Sequence, residues 1–343
     1  LLSKLQTLYF DSDLCCVDIN QSNGLIAVTS GPILYIYKPE VSKKTVTWHY
    51  SYELIVDLSS INSISWGNEQ ELIIGTSKGL SLLHVNRRDQ YSKYIVRIIW
   101  SQCLATPCYL VGFSKNSELI ACVSKYDKFV KFFYRTNFDI DNTQFSLLYL
   151  KHSSFVTDLK FRFIDQSKNN DAKSSNYNIL YTISSDNFVR VFLSFEFQKS
   201  KKVQHWGSLK LTDSLLLGDN DINQSQKSKK FIKIIDNYFF DYLISRSLER
   251  LKKHNQKDPN LMNNLQKLIQ LESDLIMVAD VEGNLSFYLV ANFNLNSPKS
   301  ILFKTLSFND ISKDTLSPSA QSSISTYSHH NKNTINFPHG IFP

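Results

Sequence analysis

Long apolar runs are missing from this sequence. A membrane-spanning helix needs roughly 18 consecutive apolar residues, and the best stretches, such as Leu285–Ala291, break after a few. The sequence therefore offers no helical membrane span. Cysteine is scarce and badly arranged for cross-linking: Cys15, Cys16, Cys103, Cys108 and Cys122 are odd in number, with two adjacent. No CxxC or Cys/His spacing suited to zinc occurs. The expectation is small buried thiols in a reducing compartment. Catalytic signatures are missing too. There is no GxSxG elbow and no HExxH, and Gly75-Thr-Ser-Lys-Gly79 lacks the spacing and the Lys-Ser/Thr of a phosphate loop. Acid pairs such as Asp139/Asp141 and Asp219/Asp221 have no partnering His, and His329-His330 lies in Ser/Asn-rich sequence. No catalytic, cofactor-binding or metal-ligating residue is assigned, and no enzyme is expected.

Charge of one sign does not dominate. The 38 Lys+Arg against 31 Asp+Glu leave a net +7, with a pI near 8.9. The basic clusters Lys199/Lys201/Lys202, Lys227/Lys229/Lys230 and Arg250/Lys252/Lys253 have no interleaved aromatics for base stacking, so nucleic acid is not an expected partner. They read as solvated surface, or as weak attraction toward an acidic partner or anionic membrane face. The apolar content, 42% of 343 residues, is enough to build a sizeable core. The triplets Asn20-Gln21-Ser22, Asn223-Gln224-Ser225 and Asn284-Leu285-Ser286 fit the glycosylation sequon, but a chain so rich in Asn and Ser produces these by chance. The sequence starts at Leu1 and stops at Pro343, and reads as a piece of a longer chain.

What is present is a repeat. Asp127–Phe133, DKFVKFF, aligns with Asp186–Phe192, DNFVRVF: acid, spacer, Phe-Val, base, apolar, Phe. Each follows a β-prone run, Leu119–Ser124 or Ile179–Ser184. Weaker copies are Leu25–Tyr37, Leu72–Val85 and Leu275–Val290. Each copy is an apolar strand, a tight polar turn and a second strand. A further strand often precedes the pair, as at Cys16–Ile19, Asn62–Trp66, Cys108–Phe113 and Val156–Phe161. Turns at 31, 78, 127 and 186 are 47, 49 and 59 residues apart, and the step from 186 to 282 is 96. The shorter steps lie close to the roughly 40–45 residues of a WD-repeat blade.

The fold class is thus all-β: a WD-repeat-like β-propeller, with about five blades visible of the about seven with which such propellers commonly close. Blades are expected over residues 1–308, with polar insert loops at 165–176 and 219–230 and a short helical insertion at about 238–272. In that insertion, Tyr242, Leu243, Leu248 and Leu251 are read as one packed face, and a second helix follows Asp258-Pro259, with Met262 and its leucines packed on the sheet. Residues 309–343 read as a linker or loop. The stretch near Leu5–Phe10 reads as the end of an incomplete blade, leaving open sheet edges in the isolated piece. The WD pattern is imperfect. No blade ends in Trp-Asp; Tyr37, Phe133, Phe192 and Tyr288 take the aromatic place, and Asp127 and Asp186 the turn acid. His152 stands where a Gly-His would precede a strand, and with Thr182 or Ser184 and Asp186 it supplies three members of the WD hydrogen-bond network. Phe192 has no N–H to complete it. These positions are expected to be structural, and partner-binding residues are left unassigned.

Several phrases in order carry a resemblance. Leu5–Tyr9, Val17–Asn20 with Asn23-Gly24, and Ile36–Pro39 come first; Leu180–Thr182, Asp186 and Val189–Val191 follow. Val203-Gln204 with Trp206-Gly207, Ile234–Asn237, and Asp274–Ile276 with Gly283 complete the series. Strung along the chain to about Phe293, they resemble the large subunit of the RAVE complex, the family of regulators of V-ATPase assembly that includes the DmX-like proteins (rabconnectins). The resemblance implies an N-terminal propeller of a long non-catalytic scaffold. It implies a role in returning the peripheral sector of the V-ATPase to its membrane sector, and hence in vacuolar and endosomal acidification. The partners it implies are peripheral-sector subunits, a rogdi-like smaller subunit and a Skp-type adaptor. The implied location is cytoplasmic, with recruitment to vacuolar or endosomal membranes. A generic WD-repeat adaptor in trafficking or ubiquitin ligation is the alternative reading.

Overall fold

A computed structural model of the chain describes residues 6–10, 13–42, 45–56, 59–87, 94–162, 178–197, 200–211, 230–235, 237–253, 262–263, 266, 274–280, 284–291 and 299–307. Among them, twenty strands form five four-stranded sheets, each built from four strands consecutive in the chain. This is the blade plan of an all-β, WD-repeat-like propeller. The chain divides into two compact units: Leu1–Phe163 with the short segment Glu196–Lys201, and Ile164–Phe195 with Lys202–Pro343.

The first unit holds three complete blades. Blade 1 comprises β1 (Cys16–Ile19), β2 (Ile26–Ser30), β3 (Ile33–Val41) and β4 (Val46–Ile55). Blade 2 comprises β5 (Ile61–Trp66), β6 (Glu71–Thr76), β7 (Gly79–Arg87) and β8 (Tyr94–Cys103). Blade 3 comprises β9 (Cys108–Phe113), β10 (Leu119–Ser124), β11 (Phe129–Asn137) and β12 (Gln144–Lys151), and β13 (Val156–Phe161) follows. Pairing within each blade is antiparallel, as short connections between consecutive strands require. All six residues of β6 and of β10 are buried, each strand running mid-blade between two strands of its own sheet. Two cores lie between the blades. Leu25, Ala27, Leu34 and Ile36 of blade 1 meet Leu72, Ile74 and Leu83 of blade 2. Ile73 and Leu82, on the other face of blade 2, meet Val111, Ile120, Cys122 and Phe133 of blade 3.

The second unit carries β14 (Asn178–Ser184), β15 (Phe188–Phe197) and β16 (Ser200–Lys210). It continues with β17 (Lys230–Ile235), α1 (Asn237–Lys253), β18 (Asp274–Asp280), β19 (Asn284–Ala291) and β20 (Lys299–Ser307). Tyr181, Ile183, Val189 and Val191 pack with Ile276, Val278, Tyr288 and Val290. Helix α1 lays Phe240, Ile244 and Leu248, spaced four apart, on Leu275, Phe287 and Leu289, with Leu251 and Met262 alongside. This corrects the expected face: Tyr242 points outward, its hydroxyl accepting from Arg246 Nη1 at 3.0 Å. Of the expected second helix Met262, Asn263 and Gln266 are described, and all three are helical. The loops 165–176 and 219–229 and the tail 309–343 lie outside the described residues, and Lys230, placed in a loop by the sequence reading, begins β17.

Two further findings differ from expectation. Residues 6–10 form no strand. Instead the Gln6 side-chain amide donates to the Trp48 carbonyl at 2.8 Å and accepts the Trp48 N–H at 2.7 Å, imitating a strand partner. Phe10 meanwhile packs edge-on against Tyr35 and Tyr37. Each blade also has a fourth, outer strand that the sequence reading missed. In the first unit these strands are half-exposed, with no clean in/out alternation to mark them.

The hairpin joining β6 to β7 turns on Gly79, at φ +148, where a Cβ would overlap the Gln102 carbonyl oxygen and stand 2.9 Å from the Leu104 nitrogen. Gly31, at φ +55, has nothing within 4 Å of that position. Gly31→Ala is expected to cost about 1 kcal/mol, the left-handed penalty alone, and Gly79→Ala roughly twice that or more. Urea midpoints of the two variants, side by side, check the ranking.

Candidate functional site

Each blade's inner strand, β1, β5 or β9, pairs with one neighbour only and leaves a row of backbone groups on its free edge. Side chains of the adjoining blade fill that edge. Asp18 Oδ2 accepts the Trp66 N–H at 2.8 Å, and the Trp66 indole donates to the Asp18 carbonyl at 3.3 Å. Ser63 and Ser65 hydroxyls accept the N–H groups of Val111 and Phe113 at 3.0 and 3.1 Å. The Asn62 amide donates to the Cys108 carbonyl at 2.9 Å. Asn20, fully buried, donates to the carbonyls of Asn68 and Glu69, and Ser117 Oγ accepts the Asn68 N–H. Every one of these bonds joins residues 46 to 49 apart. Asn20, Asn68 and Asn116 also each accept the N–H two residues on, an Asx turn at the same place in three blades. The sequence signal for them, Asn every 48 residues, was there to be read.

Blades 2 and 3 share a buried ion pair. Arg135 of β11 forks onto Glu71 of β6, Nη1 at 2.9 Å and Nη2 at 3.0 Å, the side chains 3% and 5% exposed. Arg135 also donates to Thr143 Oγ1 at 3.1 Å, the Asn137 carbonyl at 3.3 Å and the Ser117 carbonyl at 3.4 Å, and sits over the Phe138 and Phe145 rings. Asn68 Nδ2 donates to Glu71 Oε2. His84 lies directly across the β6–β7 pair from Glu71, buried, with no hydrogen-bond partner at Nδ1. Burial holds its imidazole below the ordinary value of 6.5; Glu71 pulls upward, and Arg97 and Arg135 press down further. Both Glu71 oxygens are taken, so the carboxylate serves to clamp the two blades. None of the three residues was singled out from sequence, because a pair 64 residues apart leaves no local signal.

The sequence-selected positions fall as follows. In the first unit Asp127 binds Lys131 at 2.9 Å and accepts the Phe129 N–H, while Lys131 reaches Ser124 Oγ. In the second unit Asp186 binds Arg190 at 2.6 Å and accepts the Phe188 N–H, while Arg190 reaches Ser184 Oγ. The acid and base of the repeated motif are therefore each other's partners. Thr182 is fully buried in the same unit. His152, buried in the first unit, has Nδ1 3.2 Å from the Leu150 carbonyl. Phe133 packs edge-on to Trp100, Phe192 beside the His205 ring, Tyr37 between Phe10 and Tyr50, and Tyr288 in the second unit's core. Cys108 and Cys122 are free buried thiols, the first pushed well up in pKa by its hydrogen bond to Cys122 and by burial. Gly75 leaves the room that Cys108 occupies: a Cβ there would stand 2.7 Å from its sulfur. Among the described residues, no three His, Cys, Asp or Glu side chains converge as a metal site. No helix among them is long and apolar enough to cross a membrane.

No family model matches the chain. It is 29% identical over 317 residues, 92% of its length, to Regulator of V-ATPase in vacuolar membrane protein 1 of Saccharomyces cerevisiae, and covers 21% of that protein. The Schizosaccharomyces pombe protein of the same name is 28% identical over 134 residues, 38% of this chain and 10% of the relative. The chain thus spans about a fifth or less of the curated relatives it matches. Among solved structures, Kluyveromyces lactis Hsv2 aligns with a TM-score of 0.49 at 10% identity, covering 89% of this chain and 77% of that one. Chaetomium thermophilum Sqt1 bound to the N-terminus of ribosomal protein L10 gives 0.45 at 10%, covering 86% and 61%.

Removing one partner from a buried ion pair strands a charge, whereas replacing both with apolar groups does not. Arg135→Met is expected to lose about 3–5 kcal/mol in urea unfolding, and Glu71→Leu/Arg135→Met to recover most of it. The pH response follows from His84. Unfolded, it titrates near 6.5, and folded it titrates lower, so between those values the unfolded chain binds more protons. Stability is then full above that window and falls as pH drops through it. Urea midpoints from pH 8 to 5.5 are expected to decline more steeply in the native chain than in His84→Asn.

Proposed function

We propose that this chain, a homologue of the RAVE large subunit, is a scaffold region of a V-ATPase regulator. In this reading the full protein promotes reassembly of the V-ATPase peripheral sector with its membrane sector, and with it vacuolar and endosomal acidification. The observation that carries the reading is the similarity to a protein named as a V-ATPase regulator, extending over 92% of the chain. Two of its buried carboxylates are engaged inside the fold. Glu71 is held by Arg135, and Asp274 accepts from the Tyr181 hydroxyl at 2.7 Å.

The partners proposed are peripheral-sector subunits, a rogdi-like smaller subunit and a Skp-type adaptor. The protein would be cytoplasmic and associate peripherally with vacuolar or endosomal membranes. Residues 1–308 are proposed as the blade region and 309–343 as a linker. Tyr37, Asp127, Phe133, His152, Asp186, Phe192 and Tyr288 are proposed as blade-forming positions and not as contacts to partners.

The test compares cells expressing the intact full-length protein with cells expressing it deleted for this region. Alkaline vacuoles, with the peripheral sector left in the cytosol, are the expected result. Normal acidification in the deletion strain would overturn the reading and favour a general WD-type adaptor.

A further inference from the structure

The two Asp-centred turns share an acid–base pair but neither a loop length nor a surface, residues 125–128 joining the strands in one and residues 185–187 in the other. Lys131 binds Ser124 and Asp127 as Arg190 binds Ser184 and Asp186, so in each turn the base holds the acid and the strand-end serine. Aligned on the acid, the second turn carries Ser185 and Asn187, and the first carries Tyr126 and Lys128. The hydrogen bonds of Asp127 and Lys131 use neither the Tyr126 ring nor the Lys128 ammonium. Tyr126 is moreover held at φ +61, a left-handed conformation that sterically disfavours a bulky side chain.

The side chains that differ face outward and gather with the neighbouring connection between β12 and β13. Tyr126, Phe129 and Phe155 are 69%, 42% and 39% exposed. The Tyr126 and Phe155 rings meet edge-on, their centroids 5.9 Å apart. Lys125 Nζ lies 5.2 Å from the Tyr126 ring centre and Lys128 Nζ 5.5 Å from that of Phe155. Lys151, also exposed, enters the same connection. The one carboxylate in these two segments, Asp127, is neutralised by Lys131 at 2.9 Å. Backbone bonds stitch the segments together: the His152 N–H donates to the Lys128 carbonyl at 2.8 Å and the Val156 N–H to the Asp127 carbonyl at 3.0 Å. The rings and ammonium groups therefore stand on a fixed platform, which lowers the ordering cost of binding.

We propose that this platform docks a short acidic segment of a partner protein that carries an apolar or aromatic residue between its carboxylates. The exposed rings supply the anchor typical of interface hot spots, and the lysines at either end select negative charge. A protein segment fits better than a bilayer. Recognition of anionic lipid usually takes roughly four to eight clustered Lys/Arg, and this patch has Lys125, Lys128 and Lys151. The inference rests on the geometry of the first unit and holds whichever complex the protein joins.

The test uses the full-length protein that contains this chain and a phage-displayed library of random twelve-residue peptides. Two variants serve as controls: Tyr126→Ser/Phe155→Ser, and Lys125→Glu/Lys128→Glu, which keeps the rings. All four substituted positions being exposed, circular dichroism is expected to be unchanged in both. The native chain is expected to enrich peptides that combine Asp or Glu with Leu, Phe or Trp. Affinity for a synthesised winner should fall roughly tenfold or more in either variant, and also between 50 and 500 mM salt. Absence of acidic enrichment, or an affinity in either variant equal to that of the native chain, would overturn the proposal. So would co-sedimentation with 7:3 phosphatidylcholine:phosphatidylserine vesicles that the variants abolish while no acidic peptide is enriched.

Discussion

The buried Arg135–Glu71 fork fixes what apolar packing leaves free. Ile73 and Leu82 facing Ile120 and Phe133 supply the attraction between blades 2 and 3, but that attraction is non-directional and tolerates sliding. A bidentate guanidinium–carboxylate contact does not slide. Its two oxygens and planar donors accept one registry, and a buried charge without its partner is far costlier than the pair is favourable. The fork therefore penalises misalignment more than it adds stability. Ser117, whose carbonyl touches Arg135 and whose hydroxyl accepts the Asn68 N–H, ties it to the inner-strand ladder.

That ladder solves a problem of blade architecture. An inner strand has one sheet neighbour, and its free edge would either need water or invite foreign strands. Ser63, Ser65, Asn62 and Asp18 instead lend side-chain groups from one blade to the backbone of the next. The same short polar residues would weaken a strand buried on both faces, which is why β6 and β10 between them hold Glu71, Thr76 and Ser124 only at their ends. Polar residues inside the inner strands and apolar ones in the middle of each blade are two consequences of one geometry.

This division explains what the sequence disclosed. The mid-blade pairs, Leu25–Tyr37 or Leu72–Val85, are apolar runs broken by turn residues, and they stand out without any knowledge of neighbours. The outer strands do not. Val46–Ile55 alternates between half-buried and exposed with no fixed phase, so its pattern carries no strand signal. Tyr242 was misassigned for a related reason: helical spacing gives a face, but Phe240, Ile244 and Leu248 show which face only once Leu275 and Phe287 are opposite them. Glu71, Arg135 and His84 were hidden because their chemistry exists only between blades. Asn20, Asn68 and Asn116 were legible in principle, since the Asx turn is local and its spacing constant.

The Asp127 and Asp186 turns carry the reasoning one step further. In both, the acid binds the base four residues on and caps the turn, so the conformation is settled inside the strand ends. A turn that secures itself in this way leaves its outward residues unconstrained by folding. In the second turn those residues are Ser185 and Asn187, both half-buried. In the first they are Tyr126 and Lys128, and an aromatic ring is held out of the core in a disfavoured backbone region. Apolar surface exposed against the demands of stability points to recognition, and here it coincides with lysines whose only neighbouring carboxylate in these segments is already paired.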